Sequence, residues 1–226
     1  MWPRNFRRAA ALTLCLTVGA AAAPAVAAAA TTVPAAAWIS AGQLPLDATQ
    51  HWPSLASIAE RPADNTFRIE QLCRVDAPDH RLVAAAGVEA ARAGVDRGQG
   101  EWSVQQQIVH YPGDTWRMGQ TADALFTSLQ NTLSHCGSTA PGTQVKVTTP
   151  RSHCPSSQRG GCSQTAATVD VPAQQTSAHV YLASVGSAVT ELTVWSTGAP
   201  AVAWPDISDD EVFAAMNPQL CTVWEC

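Results

Sequence analysis

Six cysteines outside the N-terminal leader constrain this chain more than any other feature. They are Cys73, Cys136, Cys154, Cys162, Cys221 and Cys226, and a seventh, Cys15, lies inside the leader. The leader has the layout of an export signal: Arg4, Arg7 and Arg8 make a basic start, Ala9 to Ala23 an apolar stretch, and Ala25-Val26-Ala27 the small-x-small site a signal peptidase reads. The apolar run is alanine-rich, is broken by Pro24, and falls short of the roughly 20 strongly apolar residues a spanning helix needs. Leu14 stands before Cys15, where lipidation wants a small residue. The expected product is secreted, unlipidated and without a membrane span. An even number of cysteines in such a chain predicts disulfides.

Cys154 and Cys162 flank the turn-rich Pro-Ser-Ser-Gln-Arg-Gly-Gly segment, so their pairing closes a short loop and is the expected bond. Cys136 with Cys154 is harder, because a helix ending at Cys136 runs about 31 Å from Thr115 and the next strand should lead away from its end. Cys73, Cys136, Cys221 and Cys226 are left to form two further bonds whose pairing stays open. The His135-Cys136 and His153-Cys154 pairs lack CxxC or HxxxH spacing, so no metal site is expected. Without the leader, ten basic residues face eighteen acidic ones, a net charge of −8, and Lys146 is the only lysine. Such a surface repels nucleic acid and anionic lipid.

Residues 1–27 read as the signal peptide, 28–37 as a flexible lead-in, 38–100 as an irregular segment packed on the domain, and 101–226 as the domain itself. Pro45, Pro53 and Pro62 break the irregular segment into short turns, anchored by Trp38, Leu44, Trp52 and Leu55. Phe67 to Val75 reads as a strand carrying Cys73, and Arg81 to Ala93 as either a helix or a strand turning at Asp96-Arg97-Gly98. Trp102 to Tyr111 alternates as a strand. Thr115 to Cys136 repeats apolar residues at helical spacing, with Gly137 as its stop. Strands follow at Gln144 to Thr149, Ala166 to Val171, Ala178 to Val185 and Val189 to Ser196. Ser208 and Glu211 form a capping box for a last helix ended by Asn217-Pro218. This order predicts a disulfide-bonded α+β fold, an antiparallel sheet with helices packed on one face.

The hairpin between the last two strands fixes which side chains share a face. A two-residue Gly186-Ser187 loop places Leu182 opposite Glu191 and Val180 opposite Thr193, mixing apolar and polar residues. A three-residue Gly186-Ser187-Ala188 loop pairs Leu182 with Leu192 and Val180 with Val194, and is favoured on that ground. It sends His179, Tyr181, Glu191 and Trp195 to the opposite face, joined by Gln105 and Gln107, and this polar-aromatic face is the candidate ligand-binding surface.

No nucleophile elbow, HExxH, P-loop or GxGxxG is present, so no catalytic residue and no cofactor is assigned. Asp209-Asp210-Glu211 is explained by helix capping. His110 and His135 read as solvated or hydrogen-bonded.

The strand Trp102-Ser-Val-Gln-Gln-Gln-Ile-Val-His-Tyr-Pro, the helix running to Leu133-Ser-His-Cys136, the strands Val180-Tyr-Leu-Ala and Leu192-Thr-Val-Trp195, and the terminal helix together resemble the PknH-type extracellular sensor domain and related actinobacterial secreted proteins and lipoproteins. The resemblance covers roughly residues 100 to 220. It implies a disulfide-bonded α+β sheet domain with a cleft for an extracellular ligand, and no catalytic residues. The chain departs from the receptor arrangement in having no kinase domain and no spanning helix. A secreted non-catalytic module binding an extracellular ligand or an envelope protein is expected. The alternatives are an exported hydrolase with a dispersed Ser-His-Asp triad and a cell-envelope protein-interaction domain.

Overall fold

The computed structural model describes residues 32–75, 82–83, 87–154, 161–224 and 226. The expected signal peptide, the first part of the lead-in and the 155–160 loop lie outside the described residues.

Six strands form one antiparallel sheet: β1 (Glu89–Val95), β2 (Trp102–His110), β3 (Gln144–His153), β4 (Cys162–Val171), β5 (Thr176–Val185) and β6 (Ala188–Thr197). Their order across the sheet is β1-β2-β6-β5-β4-β3. Before β1 come three short helices, α1 (Asp47–Gln50), α2 (Leu55–Ile58) and α3 (Arg68–Leu72); α4 (Thr115–Thr139) links β2 to β3 and α5 (Asp209–Trp224) closes the chain. The class is α+β with an antiparallel sheet, as the element order predicts.

The helices differ in placement from that expectation, because they cover both faces. Ala178, Val180, Leu182 and Val189 pack with α4 and α3, whereas Tyr181, Ala183, Leu192 and Val194 pack with α5 and the N-terminal segment. Alternate residues of one strand therefore enter two separate cores. Trp38, Leu44, Trp52 and Leu55 are all buried against the second face, as anchors of the short turns.

The β5–β6 hairpin takes the register the polarity argument rejected. Val185 pairs with Ala188, Leu182 with Glu191 and Val180 with Thr193, around a two-residue Gly186-Ser187 turn. Gly186 has φ +55°, a conformation that glycine supplies readily at the first position of a tight hairpin. A Cβ there would lie 2.9 Å from the Cys226 sulfur. Sorting apolar from polar residues between faces presumes one wet face, and this sheet has none along β5 and β6.

Other boundaries moved for identifiable reasons. Phe67 to Val75 is not a strand: the Glu70 carboxylate accepts the Phe67 N–H at 2.8 Å and starts α3. The residues 38–100 are not irregular throughout, since β1 is a sheet strand pairing residue for residue with β2. Gly137 does not stop α4, which continues until the Ala140-Pro141-Gly142 break. Pro218 lies inside α5 rather than ending it; it lacks an N–H but leaves the following turn intact. The Ser208 capping box is formed, with Ser208 N–H and Glu211 Oε2 at 2.9 Å.

Three disulfides join the six cysteines. Cys154–Cys162 is the short loop expected, with Cα atoms 5.4 Å apart. The open pairings resolve as Cys73–Cys136, which ties α3 to the end of α4, and Cys221–Cys226, which clasps the end of α5.

Candidate ligand-binding cleft

The six residues expected on one open face lie on two faces, and five of them are buried. Tyr181 and His179 point into the α5 side. Tyr181 is 1% exposed and meets Phe213 edge-on, with centroids 5.7 Å apart. Burial pushes its hydroxyl above the ordinary tyrosine range, and a bond with Asp209 adds to this. His179 stacks on Trp204 at 3.5 Å, with Trp102 beside both rings. Burial lowers its pKa to about 4, so it is neutral at pH 7 and reads as part of an aromatic core.

Glu191, Trp195, Gln105 and Gln107 occupy the other face, under α3. Glu191 is 1% exposed; it accepts the Thr193 hydroxyl at 2.7 Å and the Ile69 N–H at 3.3 Å. Burial, with the neighbouring Glu70, pushes its pKa up to about 7. Trp195 lies beneath the Arg68 guanidinium at 4.1 Å. Gln107 accepts from Arg92 at 2.9 Å and donates to the Asn65 carbonyl at 3.3 Å. The Gln105 amide nitrogen is buried without a hydrogen bond. These side chains form a buried polar seam between α3 and the sheet.

An open concavity lies elsewhere, between the first half of α4 and the end of the sheet where β3, β4 and the β5–β6 turn meet. Its volume is about 570 Å³, within the range of roughly 300–1,000 Å³ typical of small-molecule sites. Trp116, Gln120 and Asp123 face it from α4 at i, i+4 and i+7, one face of the helix. Arg151 and His153 enter from β3, and Ser163 and Ser184, directly paired across β4 and β5, supply small side chains. Gly119 lets α4 approach the hairpin: a Cβ on it would sit 3.3 Å from the Gly186 carbonyl oxygen.

A charge-assisted network forms the polar part of the wall. Arg151 donates to Asp123 at 2.7 Å, to Thr127 at 3.1 Å and to Ser163 at 3.3 Å, while its guanidinium lies 5.1 Å from the Phe126 ring centre. Ser163 also donates to Asp123 Oδ1, at 3.2 Å. Trp116 remains 77% exposed. A serine, a histidine and an aspartate therefore meet here, since His153 pairs directly with Ser163 across β3 and β4. Their order is not that of an acyl-transfer relay, in which the imidazole stands between hydroxyl and carboxylate. Ser163 gives its proton to Asp123, and the His153 Nδ1 contacts the Cys162 carbonyl at 3.2 Å.

These residues were missed for two reasons. The strand expected over Gln144 to Thr149 continues through Pro150 to His153, because β3 is an edge strand, where proline is tolerated. Trp116 falls off the apolar stripe of α4 (Met118, Ala122, Leu125 and Leu129), and a large aromatic off its helix's buried face was a readable signal. Among the described residues no group of three or more His, Cys, Asp or Glu is placed to hold a metal ion, and no helix is long and apolar enough to cross a membrane. Compared with protein-family models, curated proteins and solved structures, the chain matches none.

Proposed function

We propose that the chain is a secreted, non-catalytic sensor-like module that holds an extracellular ligand in the cleft between α4 and the β3–β4 end of the sheet. The carrying observation is the exposed Trp116 indole at a concavity across which Asp123, on the same helix face, is bonded to Arg151 of β3 and Ser163 of β4. An indole left in water forgoes the burial free energy of its large apolar surface, and a ligand stacked on it recovers that. The three disulfides and the leader's composition support an oxidising, extracellular setting. The resemblance to the PknH-type sensor domain agrees in expecting a ligand cleft on an antiparallel sheet domain. This chain would then act as a soluble binder that hands its signal to an envelope partner.

Ligand binding to the folded state alone raises stability by about 2.7 kcal/mol at a hundredfold excess over Kd. Small-molecule fractions of growth medium and envelope extract are therefore assayed by thermal unfolding of the exported chain and of a Trp116→Ala/Gln120→Ala variant. A fraction that raises Tm for the parent and not for the variant supports the cleft. If every stabilising fraction acts equally on both, or no fraction stabilises the parent, the reading is wrong.

A further inference from the structure

We infer that the cleft recognises a neutral saccharide; this rests on the cleft being the ligand site. Its chemistry is two-sided. One side is an apolar plane, the Trp116 indole on the first turn of α4. Beside and across from it is a set of planar hydrogen-bonding groups: the Gln120 amide and the Asp123 carboxylate on the same helix face, and the Arg151 guanidinium from β3. A sugar ring has the matching pair of properties. One of its faces is a patch of C–H bonds that stacks on an aromatic ring, and its rim carries hydroxyls that both donate and accept.

Charge excludes the nearest rivals. Arg151 and Asp123 are bonded at 2.7 Å, so the cation of the cleft is already neutralised by a carboxylate within it. An anionic ligand would have to displace or face Asp123, on a chain whose net charge without the leader is −8. A cationic ligand would meet the Arg151 guanidinium in the same way. A neutral polyol meets neither penalty, and it uses what the pair leaves over. Both bonds to Asp123 fall on Oδ1, so Oδ2 keeps its acceptor capacity. The Gln120 side chain is exposed and has no hydrogen bond among the described residues, so its donor and acceptor are both free. The lining from the sheet is low as well: Ser163 and Ser184, paired across β4 and β5, supply only small side chains there.

The test is calorimetric titration of the exported chain with neutral trisaccharide probes (maltotriose, mannotriose, chitotriose and arabinotriose) at millimolar concentration, beside inorganic phosphate and indole-3-acetate. Trp116 and Gln120 are exposed, so variants there leave the fold in place. At least one trisaccharide is expected to bind. Trp116→Ala should weaken it about tenfold or more, the loss typical of an aromatic anchor, whereas Trp116→Phe keeps a stacking plane and most of the affinity. Gln120→Ala should weaken binding while phosphate stays unbound. The inference is overturned if no trisaccharide binds, or if one binds equally well to Trp116→Ala. Trp116-dependent binding of phosphate or indole-3-acetate alone overturns the saccharide while leaving the cleft standing as a ligand site.

Discussion

Leu182 of β5 lies directly opposite Glu191 of β6, so a carboxyl group and an aliphatic side chain share one buried face at the middle of the sheet. The carboxyl is accommodated by the Ile69 N–H and the Thr193 hydroxyl, but its burial favours the protonated form.

A pH dependence follows from the sign of that shift. The folded protein holds the Glu191 proton up to about pH 7, whereas the unfolded chain releases it near pH 4.5. Stability from this group is complete below pH 4.5 and is lost as pH rises towards 7, a change on the order of 3 kcal/mol. Glu191→Gln keeps an oxygen acceptor without the charge. Urea unfolding of this variant should show greater stability than the parent at pH 8 and little difference at pH 4. Equal gains at both pH values would contradict the buried acid.

His179 works in the opposite direction across an overlapping window. Its pKa falls from 6.5 to about 4 in the folded state, so its contribution is present above pH 6.5 and is lost as pH drops towards 4. The two groups therefore mask each other in the parent protein. His179→Phe, which retains a ring against Trp204, should remove the acid-side loss and leave the Glu191 slope exposed. A parent-like pH profile for this variant would show that His179 is not buried neutral.

The disulfides should differ in value according to the loops they close. Cys73–Cys136 spans 63 residues and Cys221–Cys226 spans 5; loop-closure entropy then gives about 4 and about 2 kcal/mol. Paired Cys→Ala variants, compared by urea midpoint, should keep that order. A larger loss from the C-terminal pair would contradict it.

Gln106 fastens the N-terminal segment to the sheet. Its side-chain oxygen accepts the Ile39 N–H at 3.2 Å and its amide donates to Thr190 at 3.2 Å, all within the buried interior. Gln106→Leu leaves a buried N–H unpaired, for about 1–3 kcal/mol. Hydrogen exchange near Ile39 should accelerate while β5 and β6 stay protected. Unchanged protection at Ile39 would show that apolar packing alone holds the segment.

The fold was largely legible because most elements carry local signals. The alternation of β2, the helical spacing of α4 and the Ser208–Glu211 box are each written within a dozen or so residues. The β5–β6 register was not, because it depends on both faces being covered, by α3 and α4 on one side and by α5 and the N-terminal segment on the other, all from distant sequence. The shared face went with it: His179, Tyr181, Glu191, Trp195, Gln105 and Gln107 were grouped by a register the molecule does not use. The cleft residues could be gathered only by the fold, which brings Trp116, Asp123, Arg151 and Ser163 together from three elements. Trp116 alone announced itself, as an aromatic off the buried stripe.

The claim that this cleft is the binding site is tested most directly by the 1H–15N correlation spectrum of the chain, titrated with a fraction or probe that stabilises it. The Trp116 indole N–H is assigned by its disappearance in Trp116→Phe. That resonance and the backbone amides of Gly119, Gln120, Ser163 and Gly186 should shift together with a single affinity, while those near Glu191 and Trp195 stay fixed. Shifts confined to the Glu191–Trp195 seam or to α5, with the Trp116 indole unmoved, would contradict it.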